Sequence, residues 1–583
     1  MGFHVSGYYT CISSYSCFFF TDAQPNPQAW GSDGELWDRD VLLDWSFSGY
    51  SAKEQGYHDP PFAANILDFG AVGDGKMDCT EHFRSAISQV SDAGGGTIII
   101  PEGKYVITKR LVLGKNNVVL QGEGTGKTII YCPEPLSSID RIDVEKHIES
   151  GFHQSPYSWN DGILQITGVD PGSQDSPVSG NTGWVIQDSK MGQRHLILDS
   201  VAGFSPGQWV RILQSDTSGS LASYLYGTDY NKVSSLLQKD DDCEPECASD
   251  ITNEKDLVRW ASRILTIEQG NVVVLQRSLP MDVSPGWKAR LMAIPASMPK
   301  ENGIRDLTLE FAYKESSKHH KDAGYNGILI HNAVNAFVSN VSVVNADQAF
   351  LVRNSQLVSL NGVEVTKTKS RSTSGMPWDG HIGIGLYDSS DVEVSDFDIR
   401  GEWLHDITVR GSMLSVFHRG RGDNIRLDTH RSAPYAILFS DIYLGKATRV
   451  FGTGGYLSRG LPVAKYTTYY NLRNEKHKPI ELPSSTVAGP CTWGKLVNYI
   501  GMWTGTSCPG YNVEKINGKM VQPRDIYDAM VQRKNDMRVK YETGIVPYAN
   551  KMAKSGGAEY TASPKIYAAG DGSYPVLNTP AFY

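Results

Sequence analysis

The feature that most constrains the fold is a repeat between Asn326 and Leu444, in which one pattern returns about every 22 to 30 residues. Each copy holds short runs in which apolar residues alternate with polar ones, and Asn, Gly, Asp and Ser separate the runs. Alternation at a period of two indicates strands with one buried face, and the polar breaks indicate turns. Helical repeats would show a spacing of about 3.6 residues, and these copies do not.

Such a repeat indicates a solenoid, because one coil cannot bury its apolar face without a neighbour stacked on it. Three apolar pairs lie one period apart: Ile328 with Phe350, Val338 with Leu360, and Val341 with Val363. We therefore predict an all-β chain folded as a right-handed parallel β-helix. An N-terminal capping helix and irregular terminal extensions complete the expected fold.

Length and charge are consistent with a solenoid and argue against some partners. The chain has 583 residues, and a solenoid can absorb that length in one unit because it grows in one dimension. Its formal charge of −9 argues against a general nucleic-acid binder, which is usually basic. No apolar run approaches the roughly 18 residues that cross a membrane. We expect neither nucleic acid nor membrane as a partner, and we expect a monomer.

The chain divides into a central β-helix and two extensions. An open solenoid end exposes apolar core and strand edges, so both ends need covering. The predicted parts are an N-terminal extension and cap at 1–62, a β-helix at 63–475 with an inserted loop at about 213–262, and a C-terminal extension at 476–583. We also expect two helices outside the coils, a short one at Lys255–Ile264 and one at Pro523–Val539.

One stretch resembles a known family. The motifs FGAVGDG (69–75), GGGTIIIPEGKYVI (94–107) and NVVLQGEG (117–124) accompany an amphipathic helix for which Thr80 is the expected N-cap. Together they resemble the N-terminal signature of the pectate-lyase-3-type branch of the pectin-lyase-like β-helix superfamily. The resemblance implies an extracellular protein that acts on or binds polysaccharide, as lyases, hydrolases and phage tailspikes of that superfamily do. It transfers no catalytic residue, since these motifs cap the β-helix.

Cysteines and acidic runs give weaker signals. Eight cysteines occur, and Cys491 with Cys508 is the predicted disulfide, with Cys243 and Cys247 as a second local option. Zinc is a less favoured alternative for the latter pair. The run Asp240–Asp242 could bind Ca²⁺, although a solvated acidic loop is favoured. We assign no metal site from the sequence, and Ca²⁺ is the one possible cofactor. Secretion is expected from the polysaccharide hypothesis.

Aligning the repeats places several polar runs at one corner of successive coils. Stacked strands lie about 4.8 Å apart, so residues at equivalent turns become neighbours. The predicted catalytic residues are His405, His430, Arg431 and Tyr435. The predicted substrate-binding residues are Lys367, Lys369, Arg371, His381, Arg400, Trp403 and Arg449. The acids that a hydrolase would use instead are Asp379, Glu402, Asp406 and Asp428.

This set suits β-elimination from a uronic-acid polysaccharide. The reaction removes the C5 proton beside a carboxylate, so it needs a cation, a base and a proton donor. We expect His405 to be the base, Tyr435 or His430 the donor, and Arg431 the carboxylate clamp. An inverting hydrolase would need two carboxylates about 6.5 to 9.5 Å apart, and the paired-Asp and Gly-His-Gly motifs of the superfamily's pectin hydrolases are not intact here. A non-catalytic glycan-binding tailspike or adhesin is the third hypothesis.

Overall fold

The computed structural model describes residues 26–168, 180–215, 218–227, 256–455, 459–476, 478–483, 493–502, 511–515 and 520–542. Cys491, Cys508, Cys243, Cys247 and Asp240–Asp242 lie outside these residues, so the predicted disulfide and calcium run remain predictions. Within them, Cys79 and Cys132 are free and buried. The described helices include none that is long and apolar enough to cross a membrane.

Short strands make up most of the described secondary structure. The strands are β1 (Phe62–Asn65), β2 (Asp74–Asp78), β3 (Gly96–Ile99), β4 (Gly103–Val106), β5 (Leu111–Leu113), β6 (Val118–Gln121), β7 (Thr128–Cys132), β8 (Leu164–Thr167), β9 (Thr182–Trp184), β10 (His195–Ile197), β11 (Trp209–Ser215), β12 (Asp256–Glu268), β13 (Val272–Leu275), β14 (Arg290–Ala293), β15 (Gly303–Phe311), β16 (Asn326–His331), β17 (Phe337–Val344), β18 (Gln348–Arg353), β19 (Ser359–Thr366), β20 (Gly380–Tyr387), β21 (Glu393–Ser395), β22 (Asp398–Ile399), β23 (Trp403–Arg410), β24 (Val416–His418), β25 (Arg421–Gly422), β26 (Leu427–Thr429), β27 (Leu438–Ser440), β28 (Phe451–Gly452), β29 (Thr468–Tyr470), β30 (Val497–Met502) and β31 (Tyr511–Lys515). The α-helices are α1 (Thr80–Asp92), α2 (Leu136–Asp140), α3 (Val144–Glu149), α4 (Ser220–Tyr226) and α5 (Ile526–Glu542), and 3₁₀ turns occur at Tyr50–Lys53, Ile66–Phe69 and Pro285–Trp287.

The coils stack as a right-handed parallel β-helix, as the repeat predicted. One long parallel sheet contains β15, β17 and β19 in register, and a second joins β5, β8, β16, β18, β20, β23, β26 and β28. The predicted pairs are confirmed: Ile328 is opposite Phe350, Val338 opposite Leu360, and Val341 opposite Val363.

Aromatic rings stack through the interior of the later coils. Phe417, Phe439, Tyr469 and Tyr499 follow one another with ring centroids 5.2, 5.2 and 5.1 Å apart and nearly parallel planes. All four side chains are buried. Each such contact contributes about 0.5–1.5 kcal/mol beyond area burial. An aromatic side chain at the same position of successive coils therefore fixes their spacing.

The capping helix α1 covers the first coils through the predicted apolar stripe. Phe83, Ile87 and Val90 are buried in the main core. The expected N-cap was wrong by one residue, because Thr80 is the first helical residue and Cys79 holds the cap position. The side chain of Asp78 accepts from the Thr80 backbone N–H at 2.9 Å and so satisfies a free donor of the first turn.

An antiparallel sheet is inserted between β8 and β15, where a loop was expected. Its strand order is β10-β13-β12-β11-β14-β9. The helix predicted at Lys255–Ile264 is wrong, because β12 pairs there with β11 and β13. Trp260 and Ile264 are fully buried in the apolar cluster that joins this sheet to the β-helix. Tertiary packing thus overrides the local helical pattern.

The N-terminal segment runs lengthwise along the stack instead of wrapping only the first coils. Trp45 Nε1 donates to the Ala436 carbonyl at 2.7 Å, and Ser48 Oγ donates to the Leu414 carbonyl at 2.6 Å. Further along, the Tyr50 N–H donates to Ser359 Oγ at 2.9 Å. The segment therefore ties coils that are far apart in sequence.

The C-terminal extension continues the stack. Strands β30 and β31 add in parallel to β29 and so extend the stack beyond the predicted end at residue 475. Helix α5 lies near the predicted Pro523–Val539, and it packs on the side of the stack, with Tyr527 Oη donating to the Ser48 carbonyl at 2.7 Å. Both extensions thus meet on the same flank.

Candidate active site: a histidine cluster beside Trp159

Five histidines gather beside the second parallel sheet, and we call them the histidine cluster: His319, His320, His381, His405 and His430. His381 and His405 lie near the starts of the neighbouring strands β20 and β23, whose register places Ile382 opposite His405. His430 follows β26 directly, and His319 and His320 lie in the loop between β15 and β16. Stacking of successive coils therefore builds the cluster from residues distant in sequence.

Trp159, from the loop between α3 and β8, lies against this cluster. Its ring centroid is 4.5 Å from that of His381, 5.5 Å from His405 and 5.2 Å from His430. The Trp159 ring is half-buried and its Nε1 donates to Gln154 Oε1 at 2.8 Å. An aromatic face beside imidazoles is an arrangement suited to holding a sugar ring.

Two buried carboxylates orient the imidazoles. Nδ1 of His381 lies 3.1 Å from Oδ2 of Asp322, which also accepts from Ser158 Oγ at 2.6 Å. Oδ2 of Asp428 lies 2.6 Å from Nδ1 of His430 and 2.9 Å from Nδ1 of His405. A carboxylate at Nδ1 fixes the tautomer and leaves Nε2 for chemistry.

Electrostatics keep the buried groups in defined protonation states. Burial lowers the pKa of His405 to about 4, against the opposing attraction of Asp428. Although burial alone would raise the pKa of Asp428, His405 and His430 hold it well below its usual range. At neutral pH, His405 is therefore uncharged and Asp428 is a carboxylate.

Three buried ring nitrogens of the cluster make no hydrogen bond with any described residue. They are Nε2 of His381 and both Nδ1 and Nε2 of His405, whose Nδ1 lies 2.9 Å from Asp428 Oδ2 as an ion-pair contact only. Buried polar groups are normally satisfied, so each exception needs an explanation. The two Nε2 atoms are available to a ligand.

Of the residues predicted for the site, His381, His405 and His430 belong to this cluster, and Asp428 contacts two of its rings. The structure brings together the histidines that were expected to share a groove. It adds Trp159, His319, His320 and Asp322, which sequence reasoning missed because they lie in long loops between coils. The run Lys318-His-His-Lys321-Asp322 was the available signal, since two adjacent histidines are uncommon in a turn.

Most of the other predicted residues form a separate corner, where they pair with one another. Lys367 Nζ lies 2.9 Å from Asp379 Oδ2, Arg371 Nη2 lies 2.7 Å from Asp347 Oδ1, and Arg449 Nη2 lies 2.7 Å from Asp406 Oδ2. Burial raises the pKa of Asp406 to about 7 against the attraction of Arg449. These contacts hold the corner together.

The rest of the corner is likewise committed to structural contacts. Trp403 is fully buried in the main core, Arg400 pairs with Glu364 and Asp398, Lys446 pairs with Glu402, and Lys369 lies over the ring of Tyr313. Core packing thus accounts for Trp403, and ion pairs with Glu364 and Asp398 account for Arg400.

The expectation that Tyr435 and Arg431 face the same groove as His405 is wrong. The Tyr435 hydroxyl donates to the Pro280 carbonyl at 3.1 Å, and its ring is buried in the apolar cluster with the inserted sheet. Arg431 is buried and its Nη1 donates to the Gly460 carbonyl at 2.5 Å. The insertion, whose packing the sequence did not reveal, covers the face on which Tyr435 lies.

A groove of about 800 Å³ lies elsewhere, between α5 and the strands around Arg419. Its charged groups are paired: Arg419 Nη2 lies 2.7 Å from Asp396 Oδ2, and Arg524 Nε lies 2.8 Å from Asp441 Oδ2. Size alone does not make this groove the reactive site, so we favour the histidine cluster.

Comparison with known proteins agrees with the fold. The profile of a family described as rhamnogalacturonase A/epimerase, pectate lyase-like, matches residues 63–151, the first coils and their capping helix. The chain is a parallel β-helix protein whose first coils are similar to this pectate lyase-like family. The matched residues of this β-helix protein stop before Trp159 and the histidines, so the match supports its fold and not its site.

Two curated relatives are similar over short stretches. Alginate lyase 7 of Azotobacter vinelandii is 40% identical over 72 residues, which cover 11% of this chain and 8% of that protein. Mannuronan C5-epimerase AlgE1 of the same organism is 34% identical over 97 residues, or 16% of this chain and 7% of that protein. The β-helix protein therefore matches only a small part of each relative.

Solved structures give only distant likenesses. The tailspike gp49 of Pseudomonas phage LKA1 has a TM-score of 0.41 at 12% identity, covering 75% of this chain and 70% of that one. The A-module of the Azotobacter vinelandii epimerase AlgE6 has a TM-score of 0.24 at 11% identity, covering 79% of this chain and 100% of that one.

Proposed function

We propose that this chain is a polysaccharide lyase that cleaves an acidic, uronate-containing polysaccharide by β-elimination at the histidine cluster. The observation that carries the proposal is the pairing of His430 Nδ1 with Asp428 Oδ2 at 2.6 Å, beside the ring of Trp159. A carboxylate at Nδ1 orients an imidazole and stabilises its protonated form, so that Nε2 can accept a proton. The substrate would place this activity outside the cell.

In this proposal, His430 replaces His405 as the base. The His405 imidazole is more deeply buried, with 6% of its side chain exposed against 10% for His430. Burial also lowers the pKa of His405 to about 4, which makes it a weak base. The Asp428 carboxylate is shared by the two rings and would stabilise the imidazolium that forms on His430.

Glycines allow His430 to lie where it does. A Cβ on Gly454 would lie only 2.1 Å from Cε1 of His430, and one on Gly455 would lie 3.2 Å from its Cδ2. The backbone after β28 therefore packs directly on the imidazole ring. Close packing of this kind holds the base in one orientation, which general-base catalysis requires.

The hydrolase hypothesis is less well supported by the same contacts. Asp379 and Asp406 are paired with Lys367 and Arg449 at the corner, and Asp428 is paired with two histidines. Inverting hydrolysis needs one carboxylic acid and one free carboxylate facing the substrate. Asp406 has a raised pKa but is fully buried, and Asp379 is held by Lys367 and by the backbone N–H groups of Arg371 and Glu402, so neither presents a free carboxyl group to a substrate.

An epimerase is the second candidate, favoured by the similarity to proteins named mannuronan C5-epimerases. Epimerisation at C5 and β-elimination both begin by removing the C5 proton. They differ in whether the proton is returned or the C4 oxygen is expelled. The base and the aromatic face proposed above would serve either reaction.

The test is incubation of the protein with alginate, pectate, glucuronan, ulvan and glycosaminoglycans. Absorbance near 235 nm reports the double bond that only β-elimination creates. We expect it to rise with at least one of these polymers. Deuterium entering C5 from D₂O without absorbance would indicate the epimerase, and reducing ends without absorbance would indicate a hydrolase. None of these signals with any polymer would contradict an enzymatic function and favour a glycan-binding adhesin.

A further inference from the structure

Three members of the histidine cluster are placed as ligands of a single ion. His319, His381 and His405 each offer a ring nitrogen, and these nitrogens lie within 4.8 Å of one another. Two of the rings come from neighbouring strands and are buried, while His319 is exposed on the loop that crosses them. Residues from two layers of the structure therefore converge on one point.

The buried pair has the outer contacts expected of metal ligands. Nδ1 of His381 faces the Asp322 carboxylate at 3.1 Å, and Nδ1 of His405 faces the Asp428 carboxylate at 2.9 Å. The opposite nitrogen, Nε2, is buried in both rings with no hydrogen bond to a described residue. The hydrogen bond to Asp322 fixes the His381 tautomer that presents Nε2 to an ion, and the Asp428 carboxylate lies behind His405 as a charged outer neighbour.

We propose that His319, His381 and His405 bind one divalent transition-metal ion of the zinc class. Imidazole nitrogens suit Zn²⁺ and its neighbours, whereas Ca²⁺ takes oxygen ligands. Tetrahedral coordination at 2.0–2.1 Å would bring the ligand nitrogens to roughly 3.4 Å from one another. The exposed loop that carries His319 can make this approach.

Other histidine groups in the described part of the chain are less suited. His405, Asp428 and His430 also lie close together. Oδ2 of Asp428, however, already accepts from Thr408 Oγ1 at 3.3 Å and faces His430 Nδ1 at 2.6 Å, whereas its Oδ1 is buried without a hydrogen bond to a described residue. Because Oδ2 is shared by the imidazoles of His405 and His430, we assign Asp428 as an outer partner and leave His430 available as the base.

Three protein ligands leave a fourth position for water or a ligand oxygen, as in catalytic zinc sites. In a role that rests on the proposed function, a uronate carboxylate oxygen would take that position. The positive charge would make the C5 proton more acidic.

Arg353 is a second cation beside this sheet. Its Nη1 donates to the Trp159 carbonyl at 2.5 Å, so its guanidinium is held against the loop that covers the cluster.

The experiment measures Zn²⁺ binding to the full-length protein after removal of metal with a chelator. Titration calorimetry and elemental analysis should give one Zn²⁺ per chain, and loading with Co²⁺ should give visible ligand-field absorption. His319→Ala and His381→Ala should each weaken binding at least 100-fold, and Asp322→Asn by about 10- to 100-fold. His195→Ala, on an exposed strand of the inserted sheet, should bind as the wild type does.

Absence of stoichiometric Zn²⁺ binding by the folded wild type would overturn the proposal. Wild-type affinity in His319→Ala would do the same, and this variant guards against misfolding because its side chain is exposed. Binding that is lost in the variants, without activity on any polymer, would support the site and contradict the proposed lyase. Full activity in metal-free protein would contradict the role of the ion in binding the carboxylate.

Discussion

Two groups of buried histidine and carboxylate in this molecule differ in one respect. At His418, both ring nitrogens are engaged, with Nδ1 2.6 Å from Asp525 Oδ2 and Nε2 3.2 Å from Glu393 Oε1. In the histidine cluster, His381 and His405 each keep a buried Nε2 without a partner among the described residues. Protein groups pair with both nitrogens in the first arrangement, and they leave the Nε2 atoms unpaired in the second.

The pKa values follow the same division. Burial alone would lower the pKa of His418, but Asp525 and Glu393 raise it to about 9. In His405, burial prevails and lowers the pKa to about 4. The His418 imidazole is thus a cation at neutral pH, and it joins β24, β21 and Asp525 just before α5. A histidine that is fully paired stabilises the fold, whereas one with a free nitrogen is available for chemistry.

The largest effect on stability should come from breaking the His418 group. We expect His418→Gln to lower the free energy of unfolding by about 3–5 kcal/mol, because it removes the buried cation that Asp525 and Glu393 share and leaves only Lys53, whose Nζ lies 2.5 Å from Glu393 Oε2, and Arg419, whose Nη1 lies 3.7 Å from Asp525 Oδ2. Chemical denaturation measures this, with His195→Gln as the exposed control. A loss below about 1 kcal/mol would show that the pairing is not structural.

The same group gives a pH dependence with a defined sign. The folded-state pKa of His418, about 9, lies above the ordinary value of 6.5. Its contribution to stability is therefore fully present below pH 6.5 and is lost as the pH rises through 9. Wild-type protein should lose stability across this window, and His418→Gln should lose less. Equal slopes in the two proteins would contradict the assignment.

His331 should show the opposite pH dependence with a smaller effect. Burial lowers its pKa to about 4, with a further contribution from Arg353. The neutral ring is favoured in the folded state, so stability is present above pH 6.5 and falls as the pH drops toward 4. Between pH 7 and pH 4.5, the free energy of unfolding should fall by about 1–3 kcal/mol less in His331→Gln than in the wild type. Denaturation at pH 7 and pH 4.5 measures the change, and no difference between variant and wild type would refute it.

Gly454→Ala tests whether the orientation of the proposed base, His430, matters for turnover. Its expected effect is the smallest of these predictions. The added Cβ would press on the His430 ring and displace it from Asp428. We expect turnover to fall about tenfold with little change in substrate affinity, because misplacement of a catalytic group raises the barrier. Gly56→Ala is the matched control, since a Cβ there meets nothing within 4 Å. Unchanged turnover in Gly454→Ala would remove His430 from the role of base.

The repeat made the β-helix predictable, because period and alternation are properties of the chain itself. Ile328 and Phe350 were placed opposite each other from spacing alone, and the structure pairs them. The inserted sheet was not predictable in this way. The local sequence pattern of β12 predicts a short helix, and the segment is extended because it pairs with β11.

The site was partly predictable for the same reason. His381 and His405 lie in strands of the repeat, so stacking brings them together. Trp159 and His319 come from loops whose course no period specifies. Tyr435 was misassigned because its neighbours are the side chains of the insertion. Residues in the repeated strands can be aligned from the sequence. The positions of residues in loops and in the insertion can be found only from the structure.

The most direct test of the central claim compares C5 proton loss by the wild type and by His430→Ala. Each protein, confirmed as folded by circular dichroism, is incubated in D₂O with the polymer that responds best, and both absorbance near 235 nm and deuterium at C5 are followed. We expect the total rate of C5 proton loss, taken from both signals, to fall by about 10²- to 10⁴-fold in His430→Ala. The rate in His195→Ala should match that of the wild type. Undiminished proton loss in His430→Ala would contradict it.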